Sequence, residues 1–224
     1  MKIDCAQPWL CADLEAEHEI LSWCPYRPGF QRAQRILWRE VRNADLTADF
    51  DVERWLEGEL RSKNALDTVC FLTSRDVRRH HYRHVSIEDA SVEVLATVGL
   101  GNAEAVGRRL NPYRGPGTIN IAAQVHGALS EAARIEALSI IASARTAAIM
   151  DAGIDLPTGR ATGTGTDCIA LATRTDAPSF AFAGMHTALG EALGRAVREA
   201  VHEGALTAQE NLHVQIAKRT HHRS

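Results

Sequence analysis

Short apolar runs and helix-period stretches alternate from one end of this chain to the other, with no Pro- or Ser-rich linker between them. A run of four to eight apolar or β-branched residues buries as a strand. Apolar residues three and four apart bury as one face of a helix. A chain that interleaves the two patterns over 224 residues must lay helices on a sheet, which makes it α/β, a single domain with a mixed β-sheet flanked by helices. Strand order is not determinable from the pattern alone. The domain is expected to span residues 1–217, with the polar segment KRTHHRS at 218–224 as a frayed tail.

Residues 9–12 and 19–23 read as early strands, and residues 68–72 and 92–98 as β-branched strands that end in turn-prone residues. A Pro/Gly loop at 111–117 leads into a further strand at 118–125, and residues 180–183 form a short one. Phe30, Ala33, Ile36, Leu37 and Val41 repeat at helical spacing, as do Val52, Trp55, Leu56 and Leu60. Ser130 can cap a long helix with Ile135, Leu138, Ile141 and Ala148 facing inward, closed near Gly153. Residues 185–201 are helical, and Thr207 with Glu210 forms a capping box that should start a last helix.

The net charge of −3 argues against nucleic acid as a partner, since such binders carry a basic excess. No apolar run approaches the roughly 20 residues of a membrane span, and the first residues lack the basic and apolar regions of a signal peptide. Five scattered cysteines without a Cys-x-x-Cys pair read as reduced thiols in a cytoplasmic protein. The apolar helix faces leave room for a homodimer.

The chemistry concentrates in GRATGTGTDC, residues 159–168. Glycines allow a backbone to approach a ligand and turn successive N–H groups toward one oxygen. Threonine hydroxyls and the Asp167 carboxylate stand where the loop enters an apolar run. The segment is either a strand-entry turn or a cradle for an acyl or phosphoryl oxygen. Asn120, between Ile119 and Ile121, binds a ligand amide or braces a neighbouring loop. His186 and Thr187 sit at a helix start, where free N–H groups favour a neutral imidazole; His186 is a general base or a capping residue. Arg78, Arg79, His80, His81, Arg83 and His84 form a cationic patch, a solvated surface more readily than an anion site, and His80 and His84 would share a face in a helix. GLGNAEAVG has the wrong glycine spacing for a dinucleotide fingerprint.

Taken in order, FLTSRDVRR, TVGLGNAEAVG, GTINI, ATGTGTD and GMHTALGEALGRAV resemble the adenosylcobinamide amidohydrolases of corrinoid salvage (the CbiZ type), over residues from about 19 to 201. The resemblance implies hydrolysis of the amide between the aminopropanol arm and the corrin ring, giving adenosylcobyric acid and aminopropanol. It implies a small-molecule corrinoid as partner and no cofactor or metal held by the protein, because cobalt arrives with the substrate. It also implies roles. Backbone N–H groups from Gly163 to Thr166, including Gly165, with a hydroxyl of Thr164 or Thr166, would hold the oxyanion. Asp167 or His186 would activate water and protonate the leaving nitrogen, and Asn102, Asn120, Thr118 and Thr187 would position the substrate. Two departures stand out: Tyr26-Arg27-Pro28-Gly29 replaces a Gly-Gly pair, and Ser143-Ala144-Arg145 replaces a family-like Glu-Ala-Lys. The alternatives are a corrinoid-binding protein without catalysis and an amidohydrolase for another amide.

Overall fold

One long strand bends, and the rest of the architecture follows from it. In the computed structural model, which describes residues 1–41, 51–110, 117–176 and 179–221, β1 (Lys2–Ala6) pairs antiparallel with the first half of β2 (Trp9–Ser22). The second half of β2 pairs with β13 instead. The register shifts between Asp13 and His18, where Glu15 takes a φ of 66°. The remaining elements are β3 (Gly29–Glu40), α1 (Val52–Ser62), β4 (Val69–Thr73), β5 (His80–Ile87), β6 (Ala90–Val98), β7 (Ala103–Glu104), β8 (Ile119–Val125) and β9 (Ala128–Leu129). They continue with α2 (Glu131–Asp151), β10 (Asp155–Leu156), β11 (Gly159–Arg160), β12 (Gly163–Thr164), β13 (Cys168–Thr173), β14 (Ser179–Phe180) and α3 (Ala188–His221).

The main sheet runs β4-β3-β2-β13-β8-β6-β5 and is mixed: β13/β8 and β3/β4 are parallel, the other pairs antiparallel. Each strand offers alternate residues to its two faces. Ile119, Ile121 and Ala123 of β8 join Val94, Ala96, Ile169 and Leu171 against α2 and α3. Leu95, Ala122, Ala170 and Ala172 point the other way, where Leu10, Leu14, Ile36, Trp38 and Phe71 of the folded-over part of the sheet cover them. A smaller cluster of Leu37, Leu56, Leu60 and Cys70 seats α1 outside that part. The domain is therefore a sheet folded onto itself with helices on its outer face.

Several sequence expectations need correction. The segment at 30–41 is strand β3, not a helix. Its helix-like spacing arises because Ala33, Ile36 and Trp38 enter one core while Leu37 enters another, so both faces are apolar. Residues 9–12 and 19–23 belong to one bent strand. The cationic segment at 80–84 is strand, not helix; the two-residue period still puts His80 and His84 on one face. In α2, Ser130 caps as expected, accepting from the Ala133 N–H at 3.0 Å, and Gly153 takes a φ of 77° after the helix end. Ile135, however, is 69% exposed, since the buried stripe runs through Ala133, Ala137, Ile141, Ala144 and Ala148 and a residue two positions off a stripe faces away from it. No helix starts at Thr207: α3 passes through it, and its hydroxyl donates to the Glu203 carbonyl one turn back. A capping threonine needs non-helical backbone, and the tight seat of Gly204 on Val98 keeps α3 continuous there. The expected strand at 180–183 reduces to Ser179–Phe180. Most of the 111–117 loop and the last three residues of the tail lie outside the described residues. No helix among those described is long and apolar enough to cross a membrane.

Candidate active site

Parallel pairing brings the entrances of β8 and β13 to the same end of the sheet, with Asn120 opposite Cys168. β6 is antiparallel to β8, so its exit through Gly99 and Asn102 arrives at that end as well. This topology assembles GTINI, ATGTGTD and GLGN, which are far apart in the chain. Gly117 makes the assembly possible: a Cβ there would lie 2.6 Å from the Gly101 nitrogen and 2.9 Å from that of Asn102. Gly165 donates its N–H to the Asn102 carbonyl at 3.2 Å, and Thr166 Oγ1 donates to the Gly117 carbonyl at 2.9 Å.

Asp167 is the hub. Its Oδ1 accepts from the Ile119 N–H at 3.1 Å and from the Thr164 hydroxyl in a very short contact. Its Oδ2 accepts from the Thr164 N–H at 3.1 Å and pairs with Arg145 Nη1. A carboxylate offers about four lone-pair positions, and all are taken. Gly163 leaves room for this, because a Cβ there would sit 2.6 Å from both Arg145 Nη1 and Asp167 Oδ2. Arg145, at one of the two departures noted in the sequence, thus sets a half-buried cation against Asp167. Ser143 is exposed and lies elsewhere, in a groove of about 810 Å³ between α2 and α3 that Ile140, Ala144, Met185 and Gly194 also line.

The other expected residues separate into two groups. Thr118 Oγ1 reaches the Thr166 carbonyl at 2.8 Å and Asn120 Oδ1 at 3.2 Å. Asn120 Nδ2 donates to the Leu72 carbonyl at 2.8 Å. Asn120 is therefore engaged at both ends and braces the end of β4. Asn102 contacts Thr166 Oγ1 through Nδ2 at 3.5 Å, while its buried Oδ1 has no partner. His186 and Thr187 stand apart from all of these. Thr187 caps α3, accepting from the Gly190 N–H at 2.9 Å and donating to the Gly184 carbonyl. That turn docks through the Ala183 N–H on Glu136, about 13 Å along α2 from Arg145 at 1.5 Å per residue. His186 is exposed there, so the two bases considered from the sequence do not share a site. His186→Ala is expected to change kcat/KM less than threefold, checked by steady-state assay.

Two of the backbone donors expected for an oxyanion, those of Thr164 and Gly165, already have acceptors within the loop cluster. Arg75 of FLTSRDVRR stands among Asp76, Arg78 and Arg79, and in the sequence it reads as one more solvated charge. Cys168, next to Asp167, is no nucleophile at neutral pH: burial, with Cys24 nearby, pushes its thiol up to about 12. Cys11 is pushed up to about 11, again by burial first. Folded protein at pH 8 should therefore react with iodoacetamide at Cys168 far more slowly than urea-unfolded protein, measured by mass spectrometry of the peptides. Among the described residues, no three His, Cys, Asp or Glu side chains are grouped as metal ligands.

A folded-over mixed sheet backed by two helices, with a hydroxyl–carboxylate–guanidinium chain where its strands enter, has the equipment of a hydrolase. More narrowly, the chain belongs to the adenosylcobinamide amidohydrolase (CbiZ) family, whose model matches residues 1–213. A comparison with curated proteins finds no match. Among solved structures, the crystal structure of the PH0078 protein from Pyrococcus horikoshii OT3 is similar at 12% identity and a TM-score of 0.43, over 88% of this chain and 76% of that one.

Proposed function

We propose that this protein is a cytoplasmic enzyme that hydrolyses the aminopropanol amide of adenosylcobinamide, giving adenosylcobyric acid and aminopropanol. Within the family assignment, the observation that carries the reading is the Thr164–Asp167–Arg145 chain. Asp167 is saturated, so a proton reaches it only along a bond it already makes. Of its donors, two are peptide N–H groups and one is a guanidinium. Only the Thr164 hydroxyl can relay.

A water held by Thr164 Oγ1 attacks the amide carbon. Its proton passes to Thr164 as the Thr164 proton passes to Asp167, and the carbonyl π pair moves onto oxygen. Collapse of the tetrahedral species breaks the C–N bond. The proton returns through Thr164 to the departing nitrogen, leaving a carboxylate on the corrin and a free amine. Arg145 pairs with Asp167 and fixes its orientation. Thr118 and Asn120 hold the loops that carry this relay.

The cobalt belongs to the substrate, and the protein itself supplies no metal. Activity should survive exhaustive chelation; loss restored by one added divalent metal would overturn this point. Incubation with adenosylcobinamide followed by mass spectrometry of the corrinoid tests the function itself. Conversion to adenosylcobyric acid supports it. Tight binding without conversion marks a corrinoid-binding protein, and neither result points to another amide.

A further inference from the structure

The segment between β4 and β5 crosses the same end of the sheet. One side of it is tied to the site where the Leu72 carbonyl accepts from Asn120 at 2.8 Å. The other enters β5, where His80 pairs with Thr97 next to Asn120 on the adjoining strand. Arg75 lies near the start of this span, two residues past β4. Its backbone is fixed by an N–H bond to Thr73 Oγ1 at 3.0 Å. Its Nε and Nη2 are buried and make no hydrogen bond. Further unsatisfied atoms lie at this end: Oδ1 of Asn102, a residue only 5% exposed, the hydroxyl of fully buried Thr97, Nε2 of His81 and Nε of Arg145, of which Asn102 Oδ1 can act only as an acceptor. Burying guanidinium donors and a carboxamide acceptor without partners is costly, and completion by a bound ligand is one way such atoms are satisfied.

The two kinds of unsatisfied group have opposite polarity. Guanidinium nitrogens only donate; a carboxamide oxygen only accepts. A secondary amide is their complement, with a carbonyl oxygen that accepts and an N–H that donates. We propose that Arg75 binds the carbonyl oxygen of the scissile amide while Asn102 Oδ1 accepts from its N–H. This rests on the amidohydrolase reading above and assigns the oxyanion role to a side chain, since the Thr164 and Gly165 N–H groups are bonded within the loop cluster. When water adds to the carbon, the developing negative charge falls on the oxygen held by Arg75, where a preorganised cation is most effective. After C–N cleavage that oxygen is part of the product carboxylate, so the acid product should also bind through Arg75, in the two-pronged geometry that guanidinium and carboxylate favour.

The test compares wild type with Arg75→Ala, Arg75→Lys, Arg75→Met and Asn102→Ala. It uses adenosylcobinamide for turnover and adenosylcobyric acid for binding by calorimetry. Arg75→Ala should lower kcat about 100-fold or more, by analogy with loss of one oxyanion donor, and weaken binding of the acid at least tenfold. Arg75→Lys should recover part of both, and added methylguanidine should raise the rate of Arg75→Ala. Asn102→Ala should weaken binding of the amide more than that of the acid. Thermal midpoints of the Arg75 variants should stay level or rise, because the buried Nε and Nη2 have no hydrogen bond to lose.

Arg75→Ala with kcat and acid affinity within threefold of wild type overturns the proposal. So does a folded Arg75→Met variant that binds the acid normally if Arg75→Ala fails to fold. A wild type that binds corrinoid without hydrolysing it would defeat the functional reading instead, and the acid-binding comparison would still decide the role of Arg75.

Discussion

Replacing Asp167 with alanine is expected to lower kcat on adenosylcobinamide by about 10²–10⁴-fold, the range that a positioned acid–base group contributes. The same substitution should cost about 3 kcal/mol of stability, because it strands Arg145, whose side chain is only 19% exposed, without its anion. It also leaves the N–H groups of Ile119 and Thr164 without their acceptor. Two variants separate the chemical from the structural part. Asp167→Asn keeps the shape but cannot take a proton, so turnover should fall as far while less stability is lost. Thr164→Val keeps the Arg145–Asp167 pair and both N–H bonds yet removes the relay, so it should lose activity and remain close to wild type in urea melts. A folded Thr164→Val enzyme with turnover within fivefold of wild type would rule out the relay and return the attack step to another group.

The second large effect is expected at Gly117. A Cβ at this position would meet the Gly101 nitrogen at 2.6 Å, the Gly99 oxygen at 2.8 Å and the Asn102 nitrogen at 2.9 Å. All three are backbone atoms, which cannot swing aside as the end of a long side chain can. Gly117→Ala should therefore destabilise the fold by about 1–3 kcal/mol, as overpacking does, and push apart the two loops that carry Asn102 and Thr166. Gly163→Ala is the instructive contrast. The atoms in its way are the ends of Arg145 and Asp167, which can move, so it should lose turnover with a smaller stability change. Urea denaturation and steady-state kinetics on the pair would show the difference. Equal stability losses in both would mean that the two glycines serve the same packing role.

Much of the site was legible in the sequence because glycine, threonine and a carboxylate had been placed together by the chain itself. Thr164 and Asp167 are three residues apart and meet through a local turn. Arg145, Asn102 and Gly117 come from three other elements, and no spacing rule connects them to Asp167. The same limit explains His186. Its position at a helix start is plain in the sequence, but α3 begins beside Glu136, near the start of α2, while Arg145 meets the Gly/Thr loop further along that helix. Arg75 escaped notice because an arginine between two strands reads as surface until its donors are seen to be buried and unpaired.

By itself, then, the sequence determined the α/β class, most strands and the Ser130-capped helix, and it marked the Gly/Thr loop that surrounds Asp167. These depend on periodicity and on contacts among near neighbours, which a linear pattern records. Tertiary structure alone decided three further points: β3 is a strand despite helix-like spacing, α3 does not break at Thr207, and both oxygens of Asp167 are engaged by Ile119, Thr164 and Arg145. Each depends on what packs against the segment from elsewhere. A second core behind Leu37 turned a helical spacing into a strand. The seat of Gly204 on Val98 carried α3 past its capping signal, and Arg145 with Ile119 filled the positions that would have left Asp167 free.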